Sequence, residues 1–144
     1  MGGRGGWWVV GQGALLAFIA FSPGAPFRPF SGGAGVTLAG TVLALAGAFA
    51  LGPSLTPLPS PAQHAREVYG GVYGLLRHPI YAGVLLACLG FSLATASPLR
   101  LALTAVLALF FDRKAAREES WLRERFPGYE AYSARVKRFI PGIY

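Results

Sequence analysis

Residues 97–128, "SPLRLALTAVLALFFDRKAAREESWLRERFPG", decide how this chain is built. Ser97 is a favoured residue at a helix N-cap, and Pro98 suits the first helical position, where its missing N–H is not needed. No helix breaker follows until Phe126-Pro127-Gly128, so the pattern predicts one long helix. Its first part, Leu99 to Phe111, is apolar, and its second part is strongly charged. A helix of that kind starts in a bilayer and ends in water.

Working outward, Pro79 to Ala96 is a second apolar stretch and predicts a tight helical hairpin with the first. Two more lie upstream, Trp7 to Phe21 and Ala34 to Gly52. Arg4 and the small residues after the first stretch also fit a secretory leader, but Pro23, Pro26 and Pro29 read better as a loop between two spans. A bilayer core about 30 Å thick needs about 20 helical residues, so the first and last stretches are short taken alone. A content of 53% hydrophobic residues over 144 positions is too apolar for a soluble domain of this size. The expectation is an all-α integral membrane protein of one domain, residues 1–144, with about four transmembrane helices. Residues 1–52 supply two N-terminal spans, and residues 53–144 supply the hairpin and a cytosolic helical tail.

The net charge of +7 sits beside apolar spans with little aromatic interleaving, which points to membrane orientation and away from nucleic acid. With four spans, one membrane face holds Arg4, Arg66, Arg77 and the tail after Phe111, and only Arg28 and Arg100 fall opposite. The positive-inside rule puts both termini in the cytoplasm. His64, His78 and all six acidic residues share that face, so any polar site is expected there. Arginine far outnumbers lysine, and alanine and glycine abound, a composition of GC-rich prokaryotes; the expected location is a prokaryotic plasma membrane.

The loop "GPSLTPLPSPAQH" should be extended, as a stiff linker or as a lid. Gly40, Ala44 and Gly47, and then Gly83, Ala87 and Gly90, recur at helical spacing, which lets membrane helices approach closely. Cys88 is a lone cysteine in an apolar run, and the two histidines make no metal site. Nucleotide-binding glycine loops, zinc-protease motifs and serine hydrolase constellations are absent.

Three places carry polar groups where a bland span would not. In "RHPIYAG", residues 77–83, proline fits the first turn of a helix whose free N–H groups, with Arg77 and His78, favour an anion such as a carboxylate. Tyr81 adds a ring able to face a cation or a flat heterocycle. On the long helix, Leu107, Phe111, Ala115, Glu118, Leu122 and Phe126 form one stripe in which only Glu118 is polar, so it needs a partner, in the simplest case Lys114 or Arg125. Glu119 shares a face with Asp112 and Arg123 and is expected to be solvated. In the tail, Tyr129, Tyr132 and Val136 share a face that either folds back over the site or lies on anionic lipid.

"GGVYGLLRHPIYAG" followed by "AREESWLRERFPGYEAYSARVKRFIPG" resembles the isoprenylcysteine carboxyl methyltransferase family, especially its small bacterial members, over residues 53 to 142. The resemblance implies S-adenosylmethionine on the cytosolic side, leaving as S-adenosylhomocysteine, and a lipophilic acceptor entering from the bilayer. Carried over by position, it implies cofactor contacts by Tyr73, His78, Tyr81 and Glu118 and by the backbone near Val68; Arg77 joins them as a partner for the cofactor's amino-acid end. Eukaryotic members carry an arginine four residues before the first glutamate, taken to hold the acceptor carboxylate; here Lys114 stands there, flanked by Arg113 and Arg117. Those three are the acceptor-orienting candidates. A phospholipid amine or small thiol remains open as acceptor, as do a sterol-reductase-like activity and a non-enzymatic role.

Overall fold

The computed structural model describes residues 5–29, 31–58 and 66–144. Arg4 and His64 lie outside them. Five α-helices follow one another: α1 (Gly6–Phe21), α2 (Gly32–Leu51), α3 (Pro79–Ala94), α4 (Pro98–Arg125) and α5 (Tyr129–Arg135). Short 3-10 turns at Gly52–Ser54 and Gly71–Gly74 sit between α2 and α3.

The expected signals set the helix starts. Ser31 caps α2 by accepting from the Ala34 N–H, and Ser97 caps α4 by accepting from the Arg100 N–H. Pro79 and Pro98 open α3 and α4. The turn between those two helices is a Schellman motif, with the Ser97 N–H on the Ser92 carbonyl and the Ala96 N–H on the Leu93 carbonyl. Its left-handed position is held by Ala96, at φ 43°, where glycine is the usual residue.

Helix α2 packs along α3, α3 against α4, and α1 against α4. The α2–α3 seam is a glycine zipper. A Cβ on Gly40 would collide with the backbone of Ala87 and Gly83, and one on Gly90 would collide with Thr37 and Gly33. Outside the seam, α2 exposes Leu38, Val42, Leu45 and Phe49 while burying Gly40 and Gly47. Large apolar groups outward and small ones inward is the arrangement of a helix that meets lipid. The segment Gly32–Ser54 is long and apolar enough to cross a membrane, whereas α1 and α3 are apolar but have 16 residues each. At the end of α4 away from the polar face, Arg100 donates to the Ser22 carbonyl at 2.6 Å and stacks over Phe91, tying α1 to the hairpin.

At the other end the chain returns. The N–H groups of Arg77 and His78 donate to the carbonyls of Lys137 (2.8 Å) and Arg138 (3.1 Å), a two-residue parallel pairing at the mouth of α3. Tyr129 and Tyr132 of α5 are buried, and the Tyr132 hydroxyl donates to the Tyr73 carbonyl at 2.6 Å. The aromatic face of the tail therefore folds back over the helix ends and is not spent on lipid.

Candidate active site

A cavity of about 360 Å³ opens where α3 begins and the charged half of α4 passes. Tyr73, Arg77, His78 and Tyr81 line one side, Lys114, Glu118, Leu122 and Phe126 another. Gln12 of α1 and the segment Leu51–Leu58 complete it, with Arg66 at its edge. The part of the proline-rich loop that is described thus walls the cavity. Six of the residues singled out in the sequence, Tyr73, Arg77, His78, Tyr81, Lys114 and Glu118, meet here. Val68 is half-buried outside the walls, and Arg113 and Arg117 are exposed on α4, with Arg117 stacked on Trp121.

The two glutamates divide the work, and the division corrects the sequence reading. Glu119 is fully buried, not solvated. Arg138 reaches it with two N–H donors, at 3.1 and 3.0 Å, Arg77 at 3.4 Å, and the His78 Nε2 lies 3.0 Å away. The helical-face argument weighed only neighbours on α4, whereas the face bearing Asp112 and Glu119 is covered by the tail. Asp112 likewise accepts from Arg138 at 2.6 Å and from the Tyr144 hydroxyl at 2.7 Å. Burial alone would raise the Glu119 pKa, but the hydrogen bonds from His78 and Arg138 and the charge of Arg77 outweigh it and hold the group down at about 2.

Glu118 faces the cavity instead. It accepts from the Tyr81 hydroxyl, and its other oxygen lies 3.5 Å from the His78 Nδ1. No ion pair joins it to Lys114 among the described residues, and the hydroxyl that donates to it is that of Tyr81 on α3. Burial pushes its pKa up to about 8, against the lowering effects of Tyr81 and Lys114. Burial also lowers His78, with Arg138 and Arg77 adding to that and Glu119 opposing it. A neutral imidazole that donates from Nε2 to the ionised Glu119 turns its Nδ1 lone pair toward Glu118. The His78 and Tyr81 rings are parallel, 5.5 Å between centroids, and Tyr81 stacks on Phe111 at 4.5 Å, so the cavity wall is held rigidly.

Sequence reasoning missed Gln12. Its Oε1 accepts from the Lys114 Nζ at 2.6 Å. The available signal was a lone amide in an otherwise apolar stretch. Arg77 carries a second clue, because its Nε is buried without a hydrogen-bond partner among the described residues.

Such a cavity, apolar in its walls with a few convergent polar groups at the ends of helices, is a candidate small-molecule site in a fold that is all-helical among the described residues. A family model described as Phospholipid methyltransferase matches residues 30–128. A probable protein-S-isoprenylcysteine O-methyltransferase of Oryza sativa is 40% identical over 75 residues, 51% of this chain and 39% of that protein. Protein-S-isoprenylcysteine O-methyltransferase B of Arabidopsis thaliana is 30% identical over 134 residues, 89% of this chain and 68% of that protein. The cobalt-zinc-cadmium resistance protein CzcN of Cupriavidus metallidurans is 40% identical over 80 residues, 53% of this chain and 36% of that protein. The chain belongs to the phospholipid methyltransferase family, in the group that holds the isoprenylcysteine O-methyltransferases. It spans well under half the length of the rice relative.

Proposed function

We propose that the protein is a membrane-embedded, S-adenosylmethionine-dependent methyltransferase acting on a lipophilic acceptor such as an isoprenylcysteine-like carboxylate. The observation that carries this reading is the convergence of Tyr73, Arg77, His78, Tyr81 and Glu118 on one cavity. These residues suit the cofactor chemically. Glu118 offers a carboxylate for hydroxyl or ammonium groups, Arg77 has an N–H unpartnered among the described residues that suits a carboxylate, and the tyrosine rings offer π faces to a sulfonium. When bound, the cofactor supplies a methyl group on a sulfonium that is already activated for transfer.

The protein's own task is then alignment and exclusion of water, and orientation accounts for much of the rate in such reactions. Glu119 and Arg138 lock the tail over the helix ends, which fixes His78 and Arg77. Lys114 stands at the opposite wall, where an acceptor's acid group would meet it. The topology that fits is four spans formed by α1, α2, α3 and the apolar half of α4, with both termini and the cavity at the cytoplasmic face of a prokaryotic plasma membrane. Residues 1–52 form the scaffold and 53–144 the cofactor-binding core of a single domain.

Calorimetric titration of the purified protein in detergent with S-adenosylhomocysteine, beside NADPH, tests the reading. Saturable binding of S-adenosylhomocysteine, weakened about tenfold by His78→Ala, is the expected result. Binding of NADPH alone would replace it with a reductase, and binding of neither by folded protein would remove the enzyme assignment.

A further inference from the structure

We infer that Gln12 is a specificity-determining residue, which positions Lys114 so that one N–H of its ammonium group meets an anionic group on the acceptor. The inference rests on the methyltransferase reading above and extends it to a helix outside the family match, which begins at residue 30.

Gln12 is the one amide in the apolar α1, and its oxygen is 2.6 Å from the Lys114 Nζ. The Pro57 carbonyl accepts from the same Nζ at 2.8 Å. An ammonium has three N–H donors, so these two neutral acceptors leave one without a partner among the described residues. Lys114 is 1% exposed, and both it and Gln12 line the cavity. The Nζ also lies 5.1 Å from the Tyr81 ring centroid, so the remaining donor is held beside the group that binds Glu118.

Neither hydrogen-bond acceptor is charged. The positive charge is therefore oriented by Gln12 and Pro57 without being neutralised by them, and Glu118, which feels the Lys114 charge from four residues along the helix, takes its hydrogen bond from Tyr81. A buried charge in that state favours an incoming anion and repels an incoming amine. The site thus selects an acid acceptor over a phospholipid amine. Two anchors from two segments, α1 and the loop after α2, also set the direction of the donor, which a flexible lysine alone would not fix.

The test compares S-farnesylthioacetic acid with S-farnesylthioacetamide, its neutral match, titrated into protein saturated with S-adenosylhomocysteine. Micelle partitioning affects both variants and wild type alike, so the acid-to-amide affinity ratio is the quantity to read. Wild type is expected to prefer the acid about tenfold, and Gln12→Leu to reduce that to under about threefold while S-adenosylhomocysteine affinity stays within about twofold. Gln12→Glu keeps the shape of the side chain and pairs Lys114 internally, so a folded Gln12→Glu protein should also lose the acid preference. Equal binding of acid and amide by wild type overturns the inference. So does an acid preference retained in either folded variant, or a loss of S-adenosylhomocysteine affinity that accompanies the change and marks a merely structural role. Should wild type fail to bind S-adenosylhomocysteine, the methyltransferase reading falls, while the acid-to-amide ratio measured without it still reports on Gln12.

Discussion

A helix turns about 100° per residue, so Glu118 and Glu119 meet different neighbours although they are adjacent on α4. Glu119→Gln leaves the partly buried Arg138 and Arg77 around a neutral amide. That change is expected to cost about 3 kcal/mol, seen as a drop in the thermal midpoint, whereas Glu118→Gln should hold or raise the midpoint at pH 7 and weaken S-adenosylhomocysteine binding. Acid dependence follows from the lowered pKa of Glu119. Its stabilisation is complete above the ordinary glutamate value of 4.5 and is lost as pH falls through about 2. Glu118 has the opposite sign. The folded protein keeps a proton there between 4.5 and about 8, so the stability it confers declines as pH rises through that window. An ammonium group bound beside it would expel that proton. At pH 7 the heat of S-adenosylhomocysteine binding should therefore vary with the ionisation enthalpy of the buffer, and the variation should vanish in Glu118→Gln. Sequence spacing found Glu118 from α4 alone; it misplaced Glu119 because Arg138, which covers it, comes from a different segment.

At the scale of elements, caps and breakers were legible because they act within a few residues. Ser97-Pro98 and the stop before Pro127 give α4 its bounds, and the small-residue repeats mark the faces of α2 and α3 that touch. Gly40→Leu must part those helices, and a loss of at least about 1–3 kcal/mol in denaturant or thermal unfolding is expected. Gly13→Ala is the control, since nothing lies within 4 Å of its added Cβ, and it should be neutral or slightly stabilising. In the hairpin turn, Ala96→Gly relieves a left-handed alanine and should raise stability by up to about 1 kcal/mol. The pairing of residues 77–78 with 137–138 carried no local signal, because it depends on where α4 and α5 deliver the chain.

For the whole molecule, length and apolar content pointed to helices in a membrane, and the fold is all-helical among the described residues. Side was a matter of charge. Single cysteines placed at Arg66 and Glu130, in a Cys88→Ser background, should react with an impermeant maleimide only in inverted vesicles, and one at Arg28 only in intact cells; the reverse pattern would place the cavity outside. The cavity draws on α1, the loop after α2, α3 and α4, and so no single stretch of sequence could outline it.

The pairing of Lys137 and Arg138 with the start of α3 also fixes an order of events during synthesis. All the apolar stretches leave the ribosome before Arg138 does. Until then, two backbone donors at the mouth of α3 lack their acceptors and the Glu119 carboxylate lacks the two donors of Arg138. A nascent chain can thus hold all its apolar helices and still lack the closed tail, which pairs with the start of α3 only after Lys137 and Arg138 are made.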